Sequence, residues 1–165
     1  MRVGKAGGTI LYLARRYTEA IEQYKKTLEL GPNYAPALIE LGRVYTVLGQ
    51  KTQALPELER AAQVSNRSSS SLAALGYAYG VFGSRDRALN ILSELRGRST
   101  HAYVSPEDYA IVYLGLRDDD RVFQELSRAA DQRLSSLYTL KTAPEFDPIR
   151  TDPRFADLLR RVHLN

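Results

Sequence analysis

Leu38, Ile39, Glu40, Leu41, Gly42, Arg43, Val44 and Tyr45 are answered 34 residues later by Leu72, Ala73, Ala74, Leu75, Gly76, Tyr77, Ala78 and Tyr79. The shared Leu, Leu, Gly and Tyr fall at i, i+3, i+4 and i+7, which is one face of a helix. The same offset runs further along the chain. It aligns Leu11, Tyr45, Tyr79 and Tyr113, and it aligns Gly8, Gly42, Gly76 and Ala110. Two more columns read Ala20, Ala54, Ala88, Val122 and Tyr24, Leu58, Leu92, Leu126. Agreement in several columns without an insertion marks an internal repeat, which sets the architecture before any other feature is weighed.

Each unit reads as two helices around a polar turn. Gly49, Gln50, Lys51 and Thr52 follow the first stretch, and Gly83, Ser84, Arg85 and Asp86 follow the second. Beyond the turns come Ala54, Leu55, Leu58, Ala61 and Ala62, then Ala88, Leu89, Leu92 and Leu95, again at helical spacing. A glycine inside a helix costs about 1 kcal/mol relative to alanine. Gly42 and Gly76 are therefore expected to earn their place by close helix packing, with Ala54 and Ala88 meeting them from the second helix. With Thr52 as N-cap, Pro56 falls in the fourth helical position, where its missing N–H removes little.

On these residues the chain resembles a tetratricopeptide-repeat (TPR) protein. That family's pattern has a small residue and a tyrosine late in the first helix, small residues in the second, and a proline near the unit's end. Residues 35–68 carry it through Leu38, Leu41, Gly42, Tyr45, Gly49, Ala54, Leu58 and Ala61, and residues 69–102 through Leu72, Leu75, Gly76, Tyr79, Gly83, Ala88 and Leu92. The resemblance implies an all-α fold: a right-handed superhelical solenoid of helix–turn–helix repeats with a C-terminal capping helix. Residues 1–136 form the array, as units 1–34, 35–68, 69–102 and 103–136, and 137–165 form the capping segment. The first unit matches in its second helix (Tyr17, Ala20, Tyr24, Pro32), whereas Gly4, Lys5, Ala6, Gly7 and Gly8 are too glycine-rich to hold the first one. It reads as a repeat cut short, so the 165 residues read as part of a longer protein.

The fourth unit diverges, with Pro106 at an apolar position, Arg117 for the turn glycine and Val122 for alanine. Ser105 followed by Pro106 is nevertheless a strong helix start. Asp152 and Pro153 open another helix, with Phe155, Leu158, Leu159 and Val162 on one face. Phe146, Asp147, Pro148 and Ile149 just upstream read as an irregular turn pinned by Phe146. This tail is similar, more loosely, to repeat arrays appended to bacterial winged-helix transcription regulators and Ser/Thr kinases. The run from Ser65 to Ser71 reads as an inter-repeat turn with a helix N-cap.

Composition narrows the chemistry. The chain has no cysteine, which removes disulfides, thiolate zinc sites and cysteine nucleophiles. It has two histidines, His101 and His163, far too few for a multi-histidine metal site. No apolar run approaches the roughly 20 residues of a membrane span, and the first eight residues, Met1 to Gly8, lack the core of a signal peptide. These features set the expectation of a cytoplasmic protein with no membrane partner, no metal, no cofactor and no catalytic site. Asp118, Asp119 and Asp120 lack the rest of a calcium loop and read as an acidic helix start. The net charge of +4 is uneven: residues 103–136 hold four basic against seven acidic side chains, reversing the sign of the units before them.

In the family, the first helix of each unit lines a concave groove that accepts a peptide or a partner helix. The groove positions implied here are Glu40, Arg43 and Val47, then Ala74, Tyr77 and Val81, then Asp108 and Ile111. Arg43 and Tyr77 fall at equivalent places in adjacent units and are expected to be neighbours. The positions that hold a chaperone's terminal carboxylate in related proteins carry Ile39, Arg43, Ala73 and Tyr77, which does not match the required Lys/Asn cluster. The leading reading is a non-enzymatic protein–protein interaction module binding a protein or peptide, or another domain of its own parent chain. A nucleic-acid-binding repeat stays open, on a pI of about 9.4 and on Arg15, Arg16, Lys25, Lys26, Arg96 and Arg98. Self-association through the shortened first unit is a further expectation.

Overall fold

A computed structural model describes residues 4–164, so the reading of Met1, Arg2 and Val3 as free of a leader lies outside it. Among the described residues there is no strand. Four helical hairpins follow one another: α1 (Gly4–Leu13) with α2 (Tyr17–Leu30), α3 (Ala35–Val47) with α4 (Lys51–Val64), α5 (Ser69–Val81) with α6 (Arg85–Ser99), and α7 (Pro106–Gly115) with α8 (Asp119–Asp131). Two short 3-10 helices, Ser135–Thr139 and Pro144–Ile149, lead into α9 (Pro153–Arg161). Each helix packs on its hairpin partner and on the next hairpin, and α9 packs on α8. The result is an all-α helical-repeat solenoid.

One local device closes every hairpin. Arg15, Gly49, Gly83 and Arg117, spaced by 34 residues, all adopt the left-handed conformation, with φ of 61°, 71°, 77° and 60°. The next residue's N–H then bonds back to the carbonyl of the Leu11/Tyr45/Tyr79/Tyr113 column, at 2.8, 2.9, 2.8 and 3.1 Å. This ring satisfies carbonyls that a helix end would otherwise leave unpaired. Glycine enters that conformation freely and arginine does not. The loss of glycine at Arg117 therefore leaves the turn intact and strained.

The small residues act as expected in kind, with different partners. A Cβ on Gly42 would overlap Leu58, and one on Gly8 would lie 2.5 Å from the Tyr24 ring. The gap is thus filled by the large Tyr24/Leu58 column, and Ala54 is not what fills it. Gly76 leaves room for Ile91 and Val112, each 2.8 Å from a would-be Cβ. The tightest approach joins first helices of neighbouring units. A Cβ on Gly80 would lie 2.5 Å from the Gly115 carbonyl carbon, and one on Gly115 would strike the Tyr77 carbonyl. There α5 and α7 meet backbone to backbone.

Two local expectations are corrected. The stretch Gly4–Gly8 is helical, because Gly8 gains from the Tyr24 ring what it loses in propensity: that ring is fully buried against it. In α4 the N-cap is Gln50, two residues earlier than Thr52, which makes Pro56 the sixth helical residue. Elsewhere the helix starts fall as read. Ser68 accepts from Ser71 N–H, Ser105 from Glu107 N–H, Asp118 from Arg121 N–H and Asp152 from Arg154 N–H.

Chemical denaturation should separate two kinds of glycine. Gly115→Ala forces backbone from backbone and is expected to cost about 3 kcal/mol. Gly42→Ala meets only the Leu58 side chain and regains helix propensity, so its net cost should stay below about 1.5 kcal/mol. Arg117→Gly relieves the left-handed strain and should raise stability by roughly 0.5–1 kcal/mol, read as a higher denaturation midpoint at unchanged slope.

Candidate functional site

The first helices α1, α3, α5 and α7 line cavities on one side of the array, and residues of the two 3-10 helices border the same cavities. Prolines bracket the second of these at Pro144 and Pro148. Arg150 holds its shape from outside by donating to the Ala143 carbonyl at 2.8 Å and to Asp147 at 2.6 Å. Glu145 points inward and is 2% exposed. Its carboxylate accepts from the Tyr12 hydroxyl at 2.6 Å and from Arg43 Nη2. Two residues on, Asp147 takes both Nη groups of Arg15, at 2.6 and 2.8 Å. Phe146 between them is buried, as is Ile149. The turn expected around Phe146 is therefore a 3-10 helix, and its anchors are as much the two acids as the ring.

Electrostatics follow burial. Tyr12 is 2% exposed, and burial pushes its hydroxyl far above the usual phenol range, against the opposing charge of Arg43. It is therefore a permanent donor to Glu145. Arg43 lies 5.9 Å from the centre of the Tyr12 ring and 3.5 Å from Glu40. The paired Arg15 guanidinium holds Asp147 below the ordinary carboxylate range. Glu107 and Asp108 behave oppositely: burial raises both, with the Ser136 hydroxyl bonded to Glu107.

The eight residues expected in the groove all line cavities on this side. Glu40 and Arg43 share one of about 1040 Å³ with Thr9, Tyr12, Tyr34 and Tyr138 around it. They also border a second cavity of about 310 Å³ with Ala74, Asp108 and Ile111. Val47, Tyr77 and Val81 line a third of about 410 Å³. Tyr77 is buried, its hydroxyl pushed up to about 12 by burial with the charge of Arg43 opposing. Glu145 borders both smaller cavities, with Phe146 in one and Asp147 in the other. The sequence reading missed Tyr12, Arg15, Tyr34, Tyr138, Glu145 and Asp147. The available signal was Glu145 and Asp147 flanking Phe146 between two prolines.

A tetratricopeptide-repeat family model matches residues 11–76, which run from the end of α1 into α5. That match and the helical hairpins support a TPR protein. No curated protein matches the chain. Such repeats generally mediate protein–protein interactions and are typically non-catalytic. Among the described residues no helix is long and apolar enough to cross a membrane. None of the described His, Asp and Glu side chains form a group of three or more able to hold a metal ion.

Removing Arg43 strands a buried carboxylate, whereas removing Arg15 frees an exposed one. Arg43→Ala should cost about 2–4 kcal/mol, the lower part of the range for a broken buried pair because its side chain keeps 27% exposure. Arg15→Ala, whose partners are 46% and 42% exposed, should cost within about 1 kcal/mol. Urea unfolding of the two variants checks the order.

Proposed function

We propose that this chain is a non-catalytic protein–protein interaction module, and that its concave side takes a peptide or a partner domain in the cleft between α1, α3 and the first 3-10 helix. The observation that carries this reading is the cleft itself. It has about 1040 Å³ of space, a floor of Tyr12, Glu40 and Arg43, and exposed aromatic rims in Tyr34 and Tyr138, 44% and 68% exposed. Tyrosine and arginine are the side chains that most often dominate binding energy, since they offer large contact area with a polar end. The hydroxyl-bearing Ser135 also lines the space, and it suits a backbone group of an extended peptide. The loose likeness of the tail fits a place within a larger bacterial regulatory or signalling protein of the cytoplasm, whose own domains are then candidate partners.

The basic residues that suggested nucleic acid are largely committed within the chain. Arg15 is paired with Asp147, Arg16 with Glu19, Arg96 with the Tyr113 hydroxyl and Arg98 with the Arg67 carbonyl. Phosphate binding needs cations free to release counterions, so the protein-binding reading is favoured.

Selection of a random peptide library on the immobilised chain tests this. Enriched peptides are expected to lose at least about tenfold in affinity, roughly 1.4 kcal/mol, on a Tyr34→Ala/Tyr138→Ala variant, which removes only exposed rings. Failure to enrich any peptide, or binding that the double variant leaves unchanged, overturns the proposal.

A further inference from the structure

The second 3-10 helix has the chemistry of a ligand. Pro144–Ile149 belongs to none of the hairpins, yet its polar contacts reach α1, the turn after it and α3, across 133 residues from Glu145 to Tyr12, 132 from Asp147 to Arg15 and 102 from Glu145 to Arg43. A leucine at 145 would fill the same space without desolvating a carboxylate. A buried ion pair adds little to stability over an apolar replacement, whereas it discriminates strongly between right and wrong partners. Two arginines from consecutive hairpins read two carboxylates spaced i, i+2, one of them through paired N–H donors, and such charge-assisted bonds are directional. Between them Phe146 is buried and borders a cavity that Ile39, Ala73, Ala74 and Ile111 line together with the charged Glu40, Arg43, Glu107 and Asp108.

Resting on the reading of the concave side as an interaction surface, we propose that Tyr12, Arg15 and Arg43 form a receptor for acidic peptides of the pattern Glu–aromatic–Asp. Glu145–Asp147 is its tethered occupant, and a partner segment of the same pattern displaces it. The tether gives the internal segment an effective concentration on the order of millimolar. A free peptide therefore competes poorly with the intact chain and binds well once the internal anchors are removed.

The probe is a fluorescein-labelled peptide of residues 143–150, measured by anisotropy against the full chain carrying Glu145→Ala/Asp147→Ala. The expected result is binding at least about tenfold tighter than to wild type, lost for a peptide with Gln and Asn at the acidic positions and lost when Arg15→Ala/Arg43→Ala is added. Equal binding to wild type and variant, or binding that the neutral peptide retains, overturns the inference. Should circular dichroism find the double variant unfolded, the deciding measurement is hydrogen exchange in wild type at millimolar peptide. Amides of 144–149 must then exchange faster with the acidic peptide than with the neutral one, and equal rates overturn the inference. Tyr34 and Tyr138 lie outside this receptor, so library peptides that depend on them while the acidic peptide fails would sink only this inference. The reverse outcome would sink only the cleft.

Discussion

Helices carry side chains that hold their axes 8–10 Å apart, and this chain closes that distance at chosen points by leaving side chains out. Gly8 and Gly42 each make a notch that a large residue of the second helix fills, Tyr24 in one hairpin and Leu58 in the next. Gly80 and Gly115 go further and let α5 meet α7 backbone to backbone. The helix propensity lost at each glycine, about 1 kcal/mol, is offset by the packing it admits.

A concave surface built this way is lined with apolar side chains and with groups that need partners. Here part of that need is met from within. Glu145 satisfies Tyr12 and Arg43, Asp147 satisfies Arg15, and Phe146 is buried at the edge of a cavity that small residues of α5 also line. A cavity of about 1040 Å³ stays open toward the first hairpins, between Tyr34, Arg43 and Tyr138. It shares Arg43 and Glu40 with the smaller cavity beside Phe146, so an occupant of one alters the electrostatics felt by the other.

The repeat and the helix starts at Ser105 and Asp152 were legible because each rests on local periodicity or capping chemistry. The helix at Gly4–Leu13 was not. Its glycines disfavour it locally, and the Tyr24 ring that rewards Gly8 lies 16 residues away in the chain and on another helix. Arg117 could be recognised as a lost turn glycine, but only the backbone reveals that the left-handed turn persists with an arginine in it.

The amino-acid sequence by itself determined the hairpins and their spacing, since a 34-residue period and a 3.6-residue helical turn leave little choice. Tertiary structure alone decided what lies in that concavity. Nothing local to Glu145 or Asp147 marks a carboxylate as buried against a tyrosine or clasped by an arginine more than a hundred residues away. That pairing exists because chain closure brings the tail back over the first two hairpins, and a carboxylate taken out of water is held there only by donors already in place.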